Sequence, residues 1–134
     1  MLAPIKSMAA AGGSNQPVTT LFVSTGSSLV SVNVSDLSSP TKISEVSADL
    51  NGGRLVYSKK RNHVFVTTKG DNEIVSIDVS DPSFMSVSQT MSISGEASAL
   101  ALDNDNDVVY WTRADSGYIY SYDVSTPSSM AQLD

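Results

Sequence analysis

Few side chains in this sequence form a recognisable catalytic pattern. Its single histidine, His63, stands where an apolar segment begins beside a loop, and with 25 serines in 134 residues a neighbouring serine is expected by chance. A Ser–His–Asp site needs a nucleophile held by that base, and the sequence contains no G-x-S-x-G, P-loop or G-x-G-x-x-G motif. The absence of cysteine excludes thiol chemistry and Cys-based zinc sites. We therefore predict no catalytic residue and no cofactor, and a structural role for His63.

Three aspartates alternate in a D-x-D-x-D run at Asp103, Asp105 and Asp107, which is a pattern found in calcium loops. An EF-hand loop needs glycine at its sixth position and glutamate at its twelfth. Val108 and Ala114 stand at those two positions. We therefore interpret the run as a solvated hairpin loop and predict no metal site.

Charge is distributed unevenly along this chain, whose net charge is −6. Residues 51–94 carry five cations against four acids, whereas residues 95–134 carry seven acids and one cation. An acidic chain is poorly suited to nucleic acid, because phosphate binding needs a basic face. A basic run and the aspartate run occupy similar positions in the two segments, and complementary charge guides encounter and register. We predict that these charges orient neighbours in an assembly, with ordinary surface charge as the alternative; the residues concerned are Lys59, Lys60, Arg61, Asp103, Asp105 and Asp107.

A repeat of 45 residues organises the elements that carry these side chains. The segment LVSVNVSDLS at residues 29–38 recurs as IVSIDVSDPS at 74–83 and as IYSYDVSTPS at 119–128. Each copy alternates apolar and polar residues with the period of two that is typical of a β-strand with one apolar and one polar face. An apolar segment precedes each copy, at residues 21–25, 64–68 and 109–113. Gly, Asn, Asp, Ser and Pro fill the gaps, as they do in turns.

Two further strands are predicted in each repeat unit. One follows the turn after the repeated strand, at residues 42–47, 86–94 and 130–133, and the other opens the unit, at residues 5–11, 54–58 and 97–102. Four short antiparallel strands in about 45 residues match the period of a propeller blade. The predicted fold class is all-β, a propeller-like array of three four-stranded antiparallel blades. The predicted domain is residues 1–134, with units of about 1–50, 51–94 and 95–134.

The segments LVSVNVSD and IVSIDVSDP resemble the LVIVD-type β-propeller repeat, in which an apolar strand precedes Asp-Val-Ser-Asp-Pro. The resemblance runs from about Leu21 onward and departs at Leu37, where proline is expected, and at Thr126, where aspartate is expected. It implies blades and leaves the function open, because propellers host enzymes, lectins and scaffolds alike. Propellers close with 4–8 blades. We therefore expect completion by oligomerisation or by a partner, and the alternative is a fragment of a longer propeller. The last strand of unit three is shorter than its equivalent at residues 86–94, and we expect the N-terminus or another chain to supply the missing part.

Aromatic residues are concentrated in the third unit. Core packing explains most of them, and any exposed members are suited to protein or sugar binding, because Trp and Tyr are favoured in binding hot spots. The predicted interaction residues of this kind are Tyr110, Trp111 and Tyr118.

On these grounds the sequence favours a non-enzymatic structural or interaction module that assembles with itself or with a larger complex, such as a phage virion, as a head decoration or tail protein. A carbohydrate-binding lectin propeller is the first alternative, and a lactonase-type propeller enzyme is the next. No stretch approaches the roughly 20 apolar residues of a membrane span, and the first residues lack the pattern of a signal peptide. We expect a cytoplasmic or virion location, no nucleic-acid partner and no membrane span, with a glycan as an open alternative.

Overall fold

The computed structural model describes residues 6–11 and 18–133. These residues form three four-stranded antiparallel sheets, each built from strands that are consecutive in sequence, and they contain no helix. No part of the described chain therefore offers a helix long and apolar enough to cross a membrane. The predicted all-β fold class and the array of three blades are confirmed, and we number the blades 1 to 3 in chain order.

The strands follow the predicted positions to within about two residues. Blade 1 contains β1 (Ser7–Ala11), β2 (Thr20–Ser24), β3 (Ser28–Asn33) and β4 (Thr41–Ser47). Blade 2 contains β5 (Leu55–Ser58), β6 (His63–Thr67), β7 (Glu73–Asp78) and β8 (Ser86–Ser92). Blade 3 contains β9 (Ala97–Asp103), β10 (Val108–Arg113), β11 (Ile119–Asp123) and β12 (Ala131–Leu133). Ile5, predicted to open the first strand, lies outside the described residues.

The core lies between the blades. Successive residues of a strand point to opposite faces of its sheet, so β6 supplies both interfaces of blade 2. Val64 packs in one cluster with Phe22 of blade 1, whereas Phe65 packs in another with Trp111 of blade 3. These four side chains are at most 1% exposed, and each fully buried side chain of this size stabilises the fold by roughly 2 kcal/mol. The apolar character of both faces of β6 thus places blade 2 between two neighbours.

Two serines of the repeated strands are buried between blades rather than exposed on a polar face. Ser31 and Ser76 are fully buried. Their hydroxyls donate to the carbonyl oxygens of Pro82 (2.6 Å) and Pro127 (2.5 Å), each in the next blade. The expectation of a polar face is wrong at these positions, because a hydroxyl whose hydrogen bond is satisfied across the interface can be buried.

The third strand of each blade ends in a turn held by a side chain. Oδ1 of Asn33, Asp78 and Asp123 accepts a hydrogen bond from the backbone N–H two residues later, at 2.9, 2.8 and 2.8 Å. These contacts hold the turn that follows the third strand of each blade. Hydrogen bonds from Ser80 and Ser125 also lower the pKa of the Asp78 and Asp123 carboxyls, because they stabilise the charged form.

The fourth strand of each blade lies at the edge of its sheet, and we call it the outer strand. In blade 3 the outer strand is β12, which belongs to the same chain. β12 pairs antiparallel with β11 through Ala131, Gln132 and Leu133. The N-terminal segment instead forms β1, which pairs with β2 in blade 1. The expectation that the N-terminal segment completes unit three is therefore wrong, because β1 pairs with β2 in blade 1, whereas a strand from another chain stays a prediction.

Candidate functional site

The first strands of the three blades lie side by side and bring charged residues together at their beginnings. β1 packs beside β5, and β5 packs beside β9. Lys6 directly precedes β1, Arg54 precedes β5 and Glu96 precedes β9. Lys69, in the loop after β6, lies at the same end of the sheets. Residues from all three blades therefore meet at one place, which we call the inner cleft.

The inner cleft has a volume of about 390 Å³. Its lining consists of Lys6, Gly52, Gly53, Arg54, Thr68, Lys69, Glu96, Ala97 and Ser98. Three of these side chains are cations and one is a carboxylate, in a chain whose net charge is −6. A cation can stabilise negative charge that develops on a substrate oxygen, and a carboxylate can accept a proton from water. The cleft thus contains the residue types needed for hydrolysis of a carbonyl compound.

The loop before β5 fixes the position of Arg54. Gly53 lies so close to β6 that a Cβ at this position would stand 1.1 Å from the Thr67 carbonyl oxygen. The Arg54 backbone N–H donates to Thr67 Oγ1 (3.0 Å), and the Thr67 N–H donates to the Arg54 carbonyl (2.9 Å). Gly52 has a positive φ of 83°, which glycine adopts without steric cost. Local sequence therefore holds the Arg54 backbone at the edge of the inner cleft.

Three of the six predicted charged interaction residues, Lys60, Arg61 and Asp107, form an ion-pair cluster between blades 2 and 3. Lys60 Nζ lies 2.7 Å from Asp107 Oδ2, and Arg61 Nε donates to Asp107 Oδ1 at 2.8 Å. Asp107 is buried, and the hydrogen bonds from Arg61 and then Lys60 hold the pKa of its carboxyl far below the usual range. The opposite charges noted in the sequence thus pair within the chain. Lys59 and Asp105 are exposed and Asp103 is half-buried, and their role towards a neighbour stays a prediction.

The aspartate run forms a hairpin loop between β9 and β10. Asp103 Oδ1 accepts from the backbone N–H groups of Asp105 and Asn106, each at 3.1 Å, and Asp103 Oδ2 accepts from the Asn106 side chain at 2.8 Å. Asp107 has a positive φ of 55° in the same loop. Within residues 6–11 and 18–133, no three His, Cys, Asp or Glu residues come together as metal ligands.

His63 is the first residue of β6 in blade 2 and is half-buried. Its Nδ1 is 2.7 Å from the Arg61 carbonyl oxygen, and its Nε2 is 3.0 Å from Ser88 Oγ. The described cavities are lined by neither His63 nor Ser88. These contacts link β6 to β8 and fit the structural role predicted for His63.

The aromatic residues of blade 3 divide between its two faces. Trp111 is buried between blades 2 and 3 and stacks on Tyr120 with a centroid distance of 4.5 Å. Trp111 is therefore not available to a partner, which corrects its prediction as an interaction residue. Tyr110 and Tyr118 are exposed, and their binding role stays a prediction.

The sequence predictions did not include the inner-cleft residues Lys6, Arg54, Lys69 and Glu96. One signal was present: Lys6, Arg54 and Glu96 each stand next to the first strand of a different unit. The convergence of Lys6, Arg54 and Glu96 depends on how the blades pack, because neighbouring members of this set are more than 40 residues apart in sequence.

No family model matches this chain, and no curated protein matches it. Solved structures do match over nearly its whole length. A protein of unknown function from Desulfotomaculum acetoxidans gives a TM-score of 0.78 at 10% identity and covers 95% of this chain and 40% of that one. A provisionally named 6-phosphogluconolactonase from Bacteroides uniformis gives 0.75 at 13%, and the periplasmic gluconolactonase of Pseudomonas aeruginosa gives 0.74 at 14%. The fold is that of a partial β-propeller.

The matched structures are longer than this chain. Both lactonase-named structures cover 97% of this chain, whereas this chain spans 40% of the length of each. At these identities the likeness establishes the fold alone. The assignment to the LVIVD-type repeat in particular stays a prediction.

The comparisons correct the function that the sequence favoured. A non-enzymatic structural module, such as a virion component, was expected, but several of the matching propellers carry lactonase names. The expectation of no enzymatic activity rested on the absence of known catalytic motifs. Motifs of that kind are local in sequence, whereas the inner cleft is assembled from three blades.

Proposed function

We propose that these three blades belong to a lactonase-type propeller enzyme and that the inner cleft binds and hydrolyses a sugar lactone. The observation that carries this proposal is that Lys6, Arg54, Lys69 and Glu96 meet in the inner cleft, where the first strands of the three blades begin. Blades of a propeller surround a central channel, and the first strands of the blades are the ones that pack side by side here. The lactonase names of matching structures support the same reaction class.

The chemistry of lactone hydrolysis fits the charges of the inner cleft. Glu96 accepts a proton from water as the water oxygen attacks the lactone carbonyl carbon. The carbonyl oxygen becomes negatively charged, and a neighbouring cation such as Arg54 stabilises that charge. The ring C–O bond then breaks, and the proton returns from Glu96 to the leaving ring oxygen. The product is an open-chain hydroxy acid, so that water is consumed and no other reactant is needed.

This assignment uses only side chains of the described residues. A metal-dependent lactonase would need several carboxylate or histidine ligands near one another, and the described residues contain no group of three. Glu96 is the one carboxylate among the residues that line the cleft. The proposed steps are therefore assigned to Glu96 and the three cations.

The first prediction is that Glu96→Gln slows lactone hydrolysis by the chain roughly a hundredfold or more, because removing a general base commonly costs that much. The measurement is the release of acid from D-glucono-δ-lactone, followed with a pH indicator after subtraction of spontaneous hydrolysis. Glu45→Gln is the matched control, since Glu45 is an exposed carboxylate on the outer strand β4, paired with Lys42.

Arg54→Met provides a second arm of this experiment, with Lys42→Met as its control. We expect Arg54→Met to lower kcat/KM, because the lost cation stabilises the oxyanion, while Lys42→Met leaves the rate unchanged. A chain that hydrolyses the lactone no faster than buffer, or equal rates for Glu96→Gln and Glu45→Gln, would count against the proposal.

A further inference from the structure

Blade 3 has one face covered by blade 2 and one face open. The open face carries Tyr110 and Ile119, which are 40% and 71% exposed. A cleft of about 410 Å³ lies on this face. Its lining includes Ala99, Ala101, Tyr110 and Ile119. An exposed apolar surface of this kind marks a site of interaction.

The repeat shows what the open face corresponds to in the other blades. Ile119 is the third member of a series that begins with Leu29 and Ile74, each 45 residues apart. Leu29 and Ile74 are at most 1% exposed, because each is covered by the following blade. Phe65, the equivalent of Tyr110 in blade 2, is also fully buried. The open face of blade 3 therefore carries residues equivalent to those on the faces of blades 1 and 2 that contact the following blade.

A polar contact repeats together with these apolar ones. Ser31 and Ser76 each donate to a turn carbonyl 51 residues later, at Pro82 and at Pro127. Ser121 is the third member of this series and lies on β11, on the same face as Ile119. The carbonyls of Pro82 and Pro127 already accept hydrogen bonds from the first two serines. A partner that follows the pattern would bring a third turn carbonyl to Ser121.

We propose that the open face of blade 3 is a docking surface for a further blade of this repeat type, and not for a second copy of this chain. Such a blade would cover Tyr110 and Ile119 with a face of β-branched side chains. It would also present the carbonyl of its Asp-Pro turn to Ser121.

Two observations favour this occupant. The matching propellers are longer than this chain, which spans 40% of them. A second copy of this chain is a poor candidate, because the blade 1 face that corresponds to the covering face is already buried. Val23, Val30 and Val32, on that face, are 2%, 1% and 7% exposed.

The second prediction tests this surface with a blade of known structure. In an extended chain, residues 44–92 are repeated directly after Leu133, which reproduces the junction between blades 1 and 2. The added proline then follows Ser121 by the same 51 residues as in the two existing contacts. We expect Ser121→Ala to raise the unfolding equilibrium constant roughly tenfold in the extended chain, and to leave it unchanged in the original chain.

Chemical labelling gives an independent readout of the same experiment. Tyr110 should react with tetranitromethane at least tenfold more slowly in the extended chain than in the original, as measured by mass spectrometry. Tyr118 is the internal control, because its equivalent in blade 2, Glu73, is only half-buried despite the presence of blade 3. If the first extended chain does not fold, a second one repeats residues 89–133 directly after Leu133. Its Thr-Pro turn then follows Ser121 at the same spacing as the Asp-Pro turn of the first.

Several outcomes would overturn the proposal. One is that Tyr110 reacts equally fast in the original and the extended chain. Another is that Ser121→Ala changes the unfolding equilibrium constant equally in both chains. The third is that neither extended chain folds. Concentration-dependent protection of Tyr110 in the original chain would identify a second copy as the occupant instead. Loss of glycan binding on Tyr110→Ala would identify a sugar.

Discussion

Ser31 and Ser76 show how a single hydroxyl can connect two consecutive blades, because each donates to a carbonyl 51 residues later. Each serine is fully buried, and each is followed by a β-bulge at Val32 or Ile77 in the pairing with the outer strand. A bulge locally changes the direction of a strand. A hydrogen bond of this kind contributes about 1 kcal/mol, but an acceptor left buried without its donor costs more. Serine at this position is therefore an interface residue, although its place in an alternating pattern suggests a polar surface.

The third prediction is that Ser76→Ala destabilises the chain by about 1–2 kcal/mol, because the Pro127 carbonyl loses its donor. The matched control is Ser92→Ala, since Ser92 is exposed on the outer strand β8. Denaturant unfolding followed by circular dichroism gives both values. Equal stability of the two variants would contradict an interface role for Ser76.

At the scale of elements, the loop between β4 and β5 couples the outer strand of one blade to the inner strand of the next. Leu50 in this loop is fully buried, and the Asn51 N–H donates to the Gly26 carbonyl in blade 1. Gly53 then passes directly over the Thr67 carbonyl of blade 2. This loop therefore sets both the spacing of blades 1 and 2 and the position of Arg54.

The fourth prediction is that Gly53→Ala destabilises the chain by about 2 kcal/mol or more, because its Cβ would collide with backbone that cannot move aside. Gly26→Ala is the control, since a Cβ at Gly26 would meet no atom within 4 Å. Thermal unfolding of both variants provides the measurement. If the mutation shifts β5, lactone hydrolysis should fall as well, because Arg54 is displaced.

The strands were predictable from the sequence because their alternation and turn residues are local signals. The 45-residue repeat also predicted the number of blades, and charge at equivalent positions singled out Lys60, Arg61 and Asp107. The inner cleft was not predictable, since Lys6 and Glu96 meet only after three blades have packed. The prediction of Trp111 as an interaction residue is wrong for a related reason. Alternation shows that the two faces of a strand differ, but it does not show which face a neighbouring blade covers.

At the scale of the whole molecule, several carboxylates are held in their charged form by the fold. Hydrogen bonds from neighbouring serines lower the pKa of Asp36, Asp78 and Asp123, and hydrogen bonds from Arg61 and Lys60 lower the pKa of Asp107. A carboxyl whose pKa is lower in the folded than in the unfolded chain stabilises the fold above its unfolded pKa. That contribution is lost as the pH falls through the folded value.

The fifth prediction follows from the direction of these pKa shifts. Stability should be constant near neutral pH and should decline as the pH falls below about 4, where carboxyls of the unfolded chain begin to bind protons. Asp107→Asn should reduce the stability at neutral pH and make the decline shallower, whereas Asp105→Asn, at an exposed neighbouring position, should leave the profile nearly unchanged. Urea unfolding between pH 7 and pH 2 measures these profiles, and parallel curves for the two variants would rule out the assigned role of Asp107.

The position of blade 2 between two neighbours has a consequence for how the molecule opens. In a linear array, each unit is stabilised by its own sheet and by the units beside it. Blade 2 has two such neighbours within the chain, whereas the outer strand of blade 3 is only three residues long and exposed. Local fluctuations should therefore begin at β12 and move inward, and the amides of β6 and β7 should exchange with solvent only when most of the array has come apart. The kinetic core of the protein is thus its middle repeat.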